Sequence, residues 1–222
     1  MLYLITLLMT ITTVSTDKKP TLIYVGDPMC SWCYGISEEL SETMTALEGE
    51  VDFKLLVGGL RPGGGDKWNT EFKTFLRHHW EEVSNASGQP FDYTLLSAES
   101  FDYDTEPSCR AVVVVQSMDK SKEFEFFKAV QKGFYLNGND PKQVVFYKSI
   151  CEQMELDYDV FKQRFENEAY TVGTADQFKE ARSLGINSFP TIVLEHNGKM
   201  QVIAQGFAKS ADMVAAINGQ IK

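Results

Sequence analysis

Two cysteines, Cys30 and Cys33, stand in a Cys-x-x-Cys between a run that reads as a buried strand and a run that reads as a helix. Thr21-Leu22-Ile23-Tyr24-Val25 is almost unbroken apolar sequence between Pro20 and Gly26. That pattern suits a strand covered on both faces, as in parallel sheets. After Cys33, Ile36, Leu40, Met44 and Leu47 recur at helical spacing, and Gly49 closes the helix. Val51 to Val57 is a second strand, so the segment predicts a βαβ unit with a right-handed crossover. Cys30 then falls at a helix start, where unpaired N–H groups and the positive end of the dipole favour thiolate over thiol. Cys33 lies almost a turn further in, shielded by the helix. The expected roles are nucleophile for Cys30 and resolving thiol for Cys33, with Cys33 releasing the mixed disulfide that Cys30 forms.

Other uses of the pair fit less well. A zinc site needs two more Cys or His ligands at matching spacing. Cys109 and Cys151 are isolated, His78 and His79 adjoin and so diverge on a helix, and His196 sits by a hairpin. No metal and no cofactor are therefore expected. A structural bridge across so few residues closes too small a loop to stabilise much. Cys109 and Cys151 read as small apolar residues inside helices, although an exported protein could bridge them.

Beyond the second strand, Gly58-Gly59-Leu60-Arg61-Pro62-Gly63-Gly64-Gly65 is rich in turn formers and marks a change of architecture. A phosphate loop would need Gly-Lys-Ser/Thr to follow, and none does. From Asp66 to Tyr170 the pattern is helical, with Trp68, Phe72, Phe75, Leu76, Trp80 and Val83 on one face. Further stripes are Ala111 to Val115, then Phe124, Phe127 and Val130, then Val144, Ile150 and Met154. Phe178, Ala181 and Leu184 suit a helix stopped by Gly185. Thr191 to Leu194 and Met200 to Ala204 form a hairpin around Asn197-Gly198, both of which tolerate positive φ. Ser210 caps a last helix expected to bury Val214, Ile217 and Ile221. The predicted organisation is a leader over 1–17, a first half over 18–61, a helical insertion over 62–170 and a second half over 171–222.

With 31 acidic and 21 basic residues, the net charge of -10 disfavours nonspecific binding to nucleic acid or anionic membranes. The leader carries no charged side chain through Thr16, and its apolar part is too short for a stable membrane span. It suits a removed signal peptide, despite lacking a basic start, with a buried first strand as the alternative. Export to the periplasm or outside the cell would suit dithiol chemistry, the cytoplasm being the other option.

Five blocks in order carry a family likeness. They are Asp27-Pro28-Met29-Cys30-Ser31-Trp32-Cys33-Tyr34-Gly35, Gly58-Gly59-Leu60-Arg61-Pro62-Gly63, Ser87-Gly88-Gln89-Pro90-Phe91, Glu106-Pro107-Ser108-Cys109-Arg110-Ala111 and Gly185-Ile186-Asn187-Ser188-Phe189-Pro190-Thr191. Together they resemble the DsbA family, in its FrnE-like branch of protein-disulfide isomerases. The resemblance implies an α/β thioredoxin fold, βαβ plus ββα, with a large helical insertion. It also implies a redox-active Cys30–Cys33 pair faced by a cis Pro190, with Ser31, Trp32, Phe189 and Pro190 contacting substrate. An extended peptide would then hydrogen-bond the backbone at Phe189. Two departures stand out. Ser31-Trp32 is not the Pro-His of strongly oxidising members, and Tyr24 stands six residues before Cys30, where relatives carry a buried acid.

The function these features imply is thiol–disulfide exchange on cysteine-containing proteins, reset by a thiol or disulfide partner. The alternatives are a glutathione-dependent isomerase or transferase of the related kappa type, and a non-catalytic peptide-binding module. The former generally lacks the second cysteine.

Overall fold

The structure, a computed structural model, describes residues 18–221. The proposed leader therefore lies outside the described residues. In chain order the elements are β1 (Thr21–Gly26), α1 (Ser31–Gly35), α2 (Ser37–Ala46), β2 (Asp52–Val57), α3 (Thr70–Ser87), α4 (Glu106–Met118), α5 (Glu123–Tyr135), α6 (Lys148–Gln153), α7 (Tyr158–Phe165), α8 (Glu168–Ser183), β3 (Thr191–His196), β4 (Lys199–Gln205) and α9 (Ser210–Ile221). Short 3₁₀ turns join several of the helices.

The sheet runs β2-β1-β3-β4, with β1 parallel to β2 and antiparallel to β3, and β3 antiparallel to β4. β1 is central and alternates its burial between two faces, as the period of two demands. Leu22 and Tyr24 join Leu55, Val57, Ile192 and Leu194 on one side. Ile23 and Val25 join Leu56, Val193 and Ala181 on the other. Asn197 and Gly198 adopt φ of 51° and 72°, the left-handed pair that a tight hairpin turn requires. This is the thioredoxin fold with a helical segment between β2 and α8, the α/β class that the resemblance implies.

Helix ends follow local chemistry. The Asn69 side chain accepts from the Phe72 N–H at 2.9 Å to start α3, and Gly88, at φ 78°, ends it. Several expectations need correction. Trp68 precedes α3, because Asn69 caps it, and Phe75 is 45% exposed, while Leu76, Trp80 and Val83 carry the buried face. The stretch between α3 and α4 is not α-helical but coil with one 3₁₀ turn, and Val144 sits on another such turn. In α9 the buried apolar residues are Met213 and Ile217, whereas Val214 and Ile221 are half-buried.

The helical segment shares the sheet's interior. Val112 and Val115 of α4, Phe124 and Phe127 of α5 and Phe161 of α7 belong to the same apolar cluster as Leu22 and Tyr24. A second cluster of Met29, Tyr34, Leu76, Trp80, Phe134 and Tyr135 packs α3 and α5 onto the turn that carries the cysteines.

Candidate active site

β1 ends at Gly26, and Asp27 to Met29 turn the chain into α1, of which Cys30 is the N-cap. The Asp27 side chain makes that turn: its Oδ1 accepts from the Met29 N–H at 2.8 Å, while the Cys30 N–H donates to the Asp27 carbonyl at 3.0 Å. An aspartate bonding two residues ahead competes with the strand and redirects the backbone. Two phenols hold the turn from the helical side. The Tyr103 and Tyr135 hydroxyls both donate to the Met29 carbonyl, at 2.9 and 2.6 Å.

All four cysteines are free thiols. Cys30 is 4% exposed and Cys33 fully buried, so Cys30 is the sulfur nearer solvent. The Cys30 thiol donates to the carbonyl oxygen of Phe189 at 3.5 Å, and the Phe189–Pro190 peptide is cis. The structure thus brings together the Cys30–Cys33 pair and the Phe189–Pro190 step, across a sequence separation of 159 residues. Burial, then a hydrogen bond to Cys30 and the charge Cys30 would carry, push the Cys33 thiol well up. Cys33 accordingly keeps its proton at neutral pH.

Tyr24 of β1 stands six residues before Cys30, on the buried side of the pair. Its hydroxyl is buried beside Cys33 with no partner in hydrogen-bonding geometry. Burial, then the neighbouring Cys33, push that phenol well up, so it is a neutral wall at neutral pH. Gly26 makes room for it, since a Cβ there would lie 2.5 Å from the Tyr24 oxygen.

The loop after β2 closes the other side. A Cβ on Gly58 would stand 2.2 Å from the Phe189 ring, so this glycine is what lets the ring approach the loop so closely. Arg182 of α8 pins the same loop by donating to the carbonyls of Gly58 and Gly59, at 2.9 and 3.2 Å. An apolar cavity of about 160 Å³ opens beside Cys30, with Ser31, Trp32, Leu60, Phe75, Trp80 and Phe189 among its lining. Ser31 and Trp32 are half-buried at its edge.

Sequence reasoning missed Asp27, Tyr103, Tyr135 and Arg182. Asp27 left a signal, a turn-forming aspartate directly between a strand and the cysteines. The other three are ordinary members of helical or loop patterns, and only the fold carries them to the turn.

The fold and a buried dithiol faced by a cis proline define a thioredoxin-fold protein. A thioredoxin family model matches residues 23–206, and the chain belongs to that family, within its DsbA-like thiol–disulfide oxidoreductases. A candidate protein disulfide isomerase from Nitrosomonas europaea is 29% identical, with a TM-score of 0.84 over 92% of this chain and 98% of that one. The cytosolic disulfide reductase DsbM from Pseudomonas aeruginosa shares the fold at 24% identity and a TM-score of 0.75, over 90% and 98% of the two chains. DsbM solved with glutathione is 25% identical, with a TM-score of 0.70 over the same shares. No curated protein sequence matches the chain. No helix among the described residues is long and apolar enough to cross a membrane.

Proposed function

We propose that this protein exchanges disulfides with cysteines of protein substrates through Cys30 and Cys33, as a reductase or isomerase. The observation that carries the reading is the Cys30 thiol at the mouth of the site, hydrogen-bonded to the Phe189 carbonyl with Cys33 buried behind it. In the reducing direction the Cys30 thiolate attacks a substrate disulfide, forming one S–S bond and releasing one substrate thiolate. Cys33 then loses its proton and attacks the Cys30 sulfur, which expels the second substrate thiolate. Two electrons and two protons pass to the substrate, and the protein is left oxidised. Two thiols of the glutathione class restore it: the first opens the Cys30–Cys33 bond as a mixed disulfide, and the second attacks that disulfide and leaves with the first as their own disulfide. Isomerisation needs no reset, because the substrate supplies the attacking thiolate that frees Cys30.

The Phe189 N–H has no partner among the described residues, which supports docking of an extended peptide by strand-like hydrogen bonds at that point. Ser31, Trp32 and Pro190 would border the peptide. The glutathione-dependent small-molecule reading draws on the cavity beside Cys30 and on the DsbM relative solved with glutathione. It gives Cys33 no task, so the same experiment separates the two. Cys33→Ala is expected to accumulate mixed disulfides between Cys30 and client proteins, resolved by dithiothreitol and identified by mass spectrometry. Capture of no client, with small-molecule turnover intact in Cys33→Ala, would overturn the protein-substrate reading.

A further inference from the structure

Asp27 is fully buried, and no Lys, Arg or His forms an ion pair with it among the described residues. Its Oδ1 accepts from the Met29 N–H at 2.8 Å, and its Oδ2 from the Leu60 N–H at 2.6 Å and the Cys109 thiol at 3.4 Å. The two backbone N–H groups can only donate, and with the Cys109 thiol also placed to donate they satisfy a carboxylate at both oxygens. A carboxyl supported by dipoles and by no cation thus lies three residues before Cys30, on the turn whose carbonyl at Asp27 accepts from the Cys30 N–H at 3.0 Å.

We infer that Asp27 is a positioning residue that sets the reduction potential of the Cys30–Cys33 pair, its buried charge weighing against the thiolate-bearing reduced state and so favouring the disulfide. The inference rests on the redox reading above and gives it a direction, because a protein whose disulfide is favoured is the better reductant. Like charges held in a low-dielectric interior repel far more than in water, and salt screens them much less than it screens surface charges. The other groups facing Asp27 do not cancel it. Tyr24 of β1 and Tyr103 and Tyr135 beside the turn are phenols held neutral by burial, as is the Cys109 thiol of α4. Glu106 of α4 pairs with Arg110, and Arg61 pairs with Asp66. Burial raises the Asp27 carboxyl against the hydrogen bonds that lower it, so the charge is lost at a higher pH than for an ordinary aspartate.

The test equilibrates wild type and Asp27→Asn with glutathione buffers at pH 7.5 and counts free thiols by mass. Asn keeps the shape and removes the charge. The expected result is an equilibrium constant shifted about tenfold towards the dithiol in Asp27→Asn, which for two electrons is about 30 mV more oxidising. In wild type the potential should rise more steeply with falling pH than two thiols require, across the range where Asp27 takes up its proton. This second measurement stands should Asp27→Asn fail to fold. An unchanged constant, a shift towards the disulfide, or a wild-type slope accounted for by the thiols alone would overturn the inference while leaving the redox couple intact. A pair that forms no reversible disulfide in any buffer would instead remove the redox reading, and this inference with it.

Discussion

At the scale of single residues, four chemically identical thiols are given different tasks by a few ångströms of cover. Cys30 retains 4% exposure, while Cys33, Cys109 and Cys151 have none. Burial first of all pushes Cys33 and Cys109 well up, and Cys151 up to about 12. A thiol must be both ionised and reachable to be alkylated. Iodoacetamide at neutral pH is therefore expected to label Cys30 alone in the folded, reduced protein, and all four cysteines after urea. Peptide mass mapping reads this directly, and labelling of Cys33 at the rate of Cys30 would contradict the division of roles. The cysteine pair was legible in the sequence because its chemistry is local: two residues, one turn, one helix start. Asp27 was less so. Its aspartate-to-amide bond is also local, but its contacts to Leu60 and Cys109 exist only once distant segments have met.

At the scale of elements, the strands and the hairpin were legible because β1 is apolar throughout and Asn197-Gly198 permits few conformations. The helical stretch was read too generously. Apolar spacing could not tell α3 from the coil on either side, where Trp68 before it and Phe91 and Phe101 after it are half-buried beside the second cluster with no periodicity to mark them. Gly58 shows how one element limits another. Its missing side chain sets how closely the loop after β2 approaches Phe189, the residue whose carbonyl receives the Cys30 thiol. Gly58→Ala is expected to push the Phe189 ring aside and lower kcat/KM on a peptide disulfide by tenfold or more, since sub-ångström misplacement at a reacting centre is costly. The Cys30–Cys33 equilibrium with glutathione should shift far less. Equal losses in both measurements would show that the loop shapes the dithiol itself and not the docking edge.

For the whole molecule, the buried phenols and thiols make stability depend on alkaline pH. Tyr24, Tyr103, Tyr135, Tyr147, Cys33, Cys109 and Cys151 all ionise later in the folded chain than their ordinary values, with burial the leading cause. Unfolding exposes them, and the unfolded chain ionises its thiols near pH 8.5 and its phenols near pH 10, roughly. Their contribution is thus whole below those values and falls as the pH climbs from there through the folded ones. The urea midpoint under reducing conditions should be clearly lower at pH 10.5 than at pH 7.5, and an equal midpoint would show that these groups find water in the folded protein.

The cluster that joins Leu22 and Leu55 of the sheet to Val112, Val115 and Phe161 of the helices also governs what the protein can become. Removing the helices would strip one side of the central strand and leave a slab of naked hydrocarbon. Grafting them onto another redox scaffold would fail for the mirror-image reason, because half of their own interior would stay behind. Variation in such a chain is therefore channelled to the rim around Cys30, where side chains can be exchanged without reopening the seam.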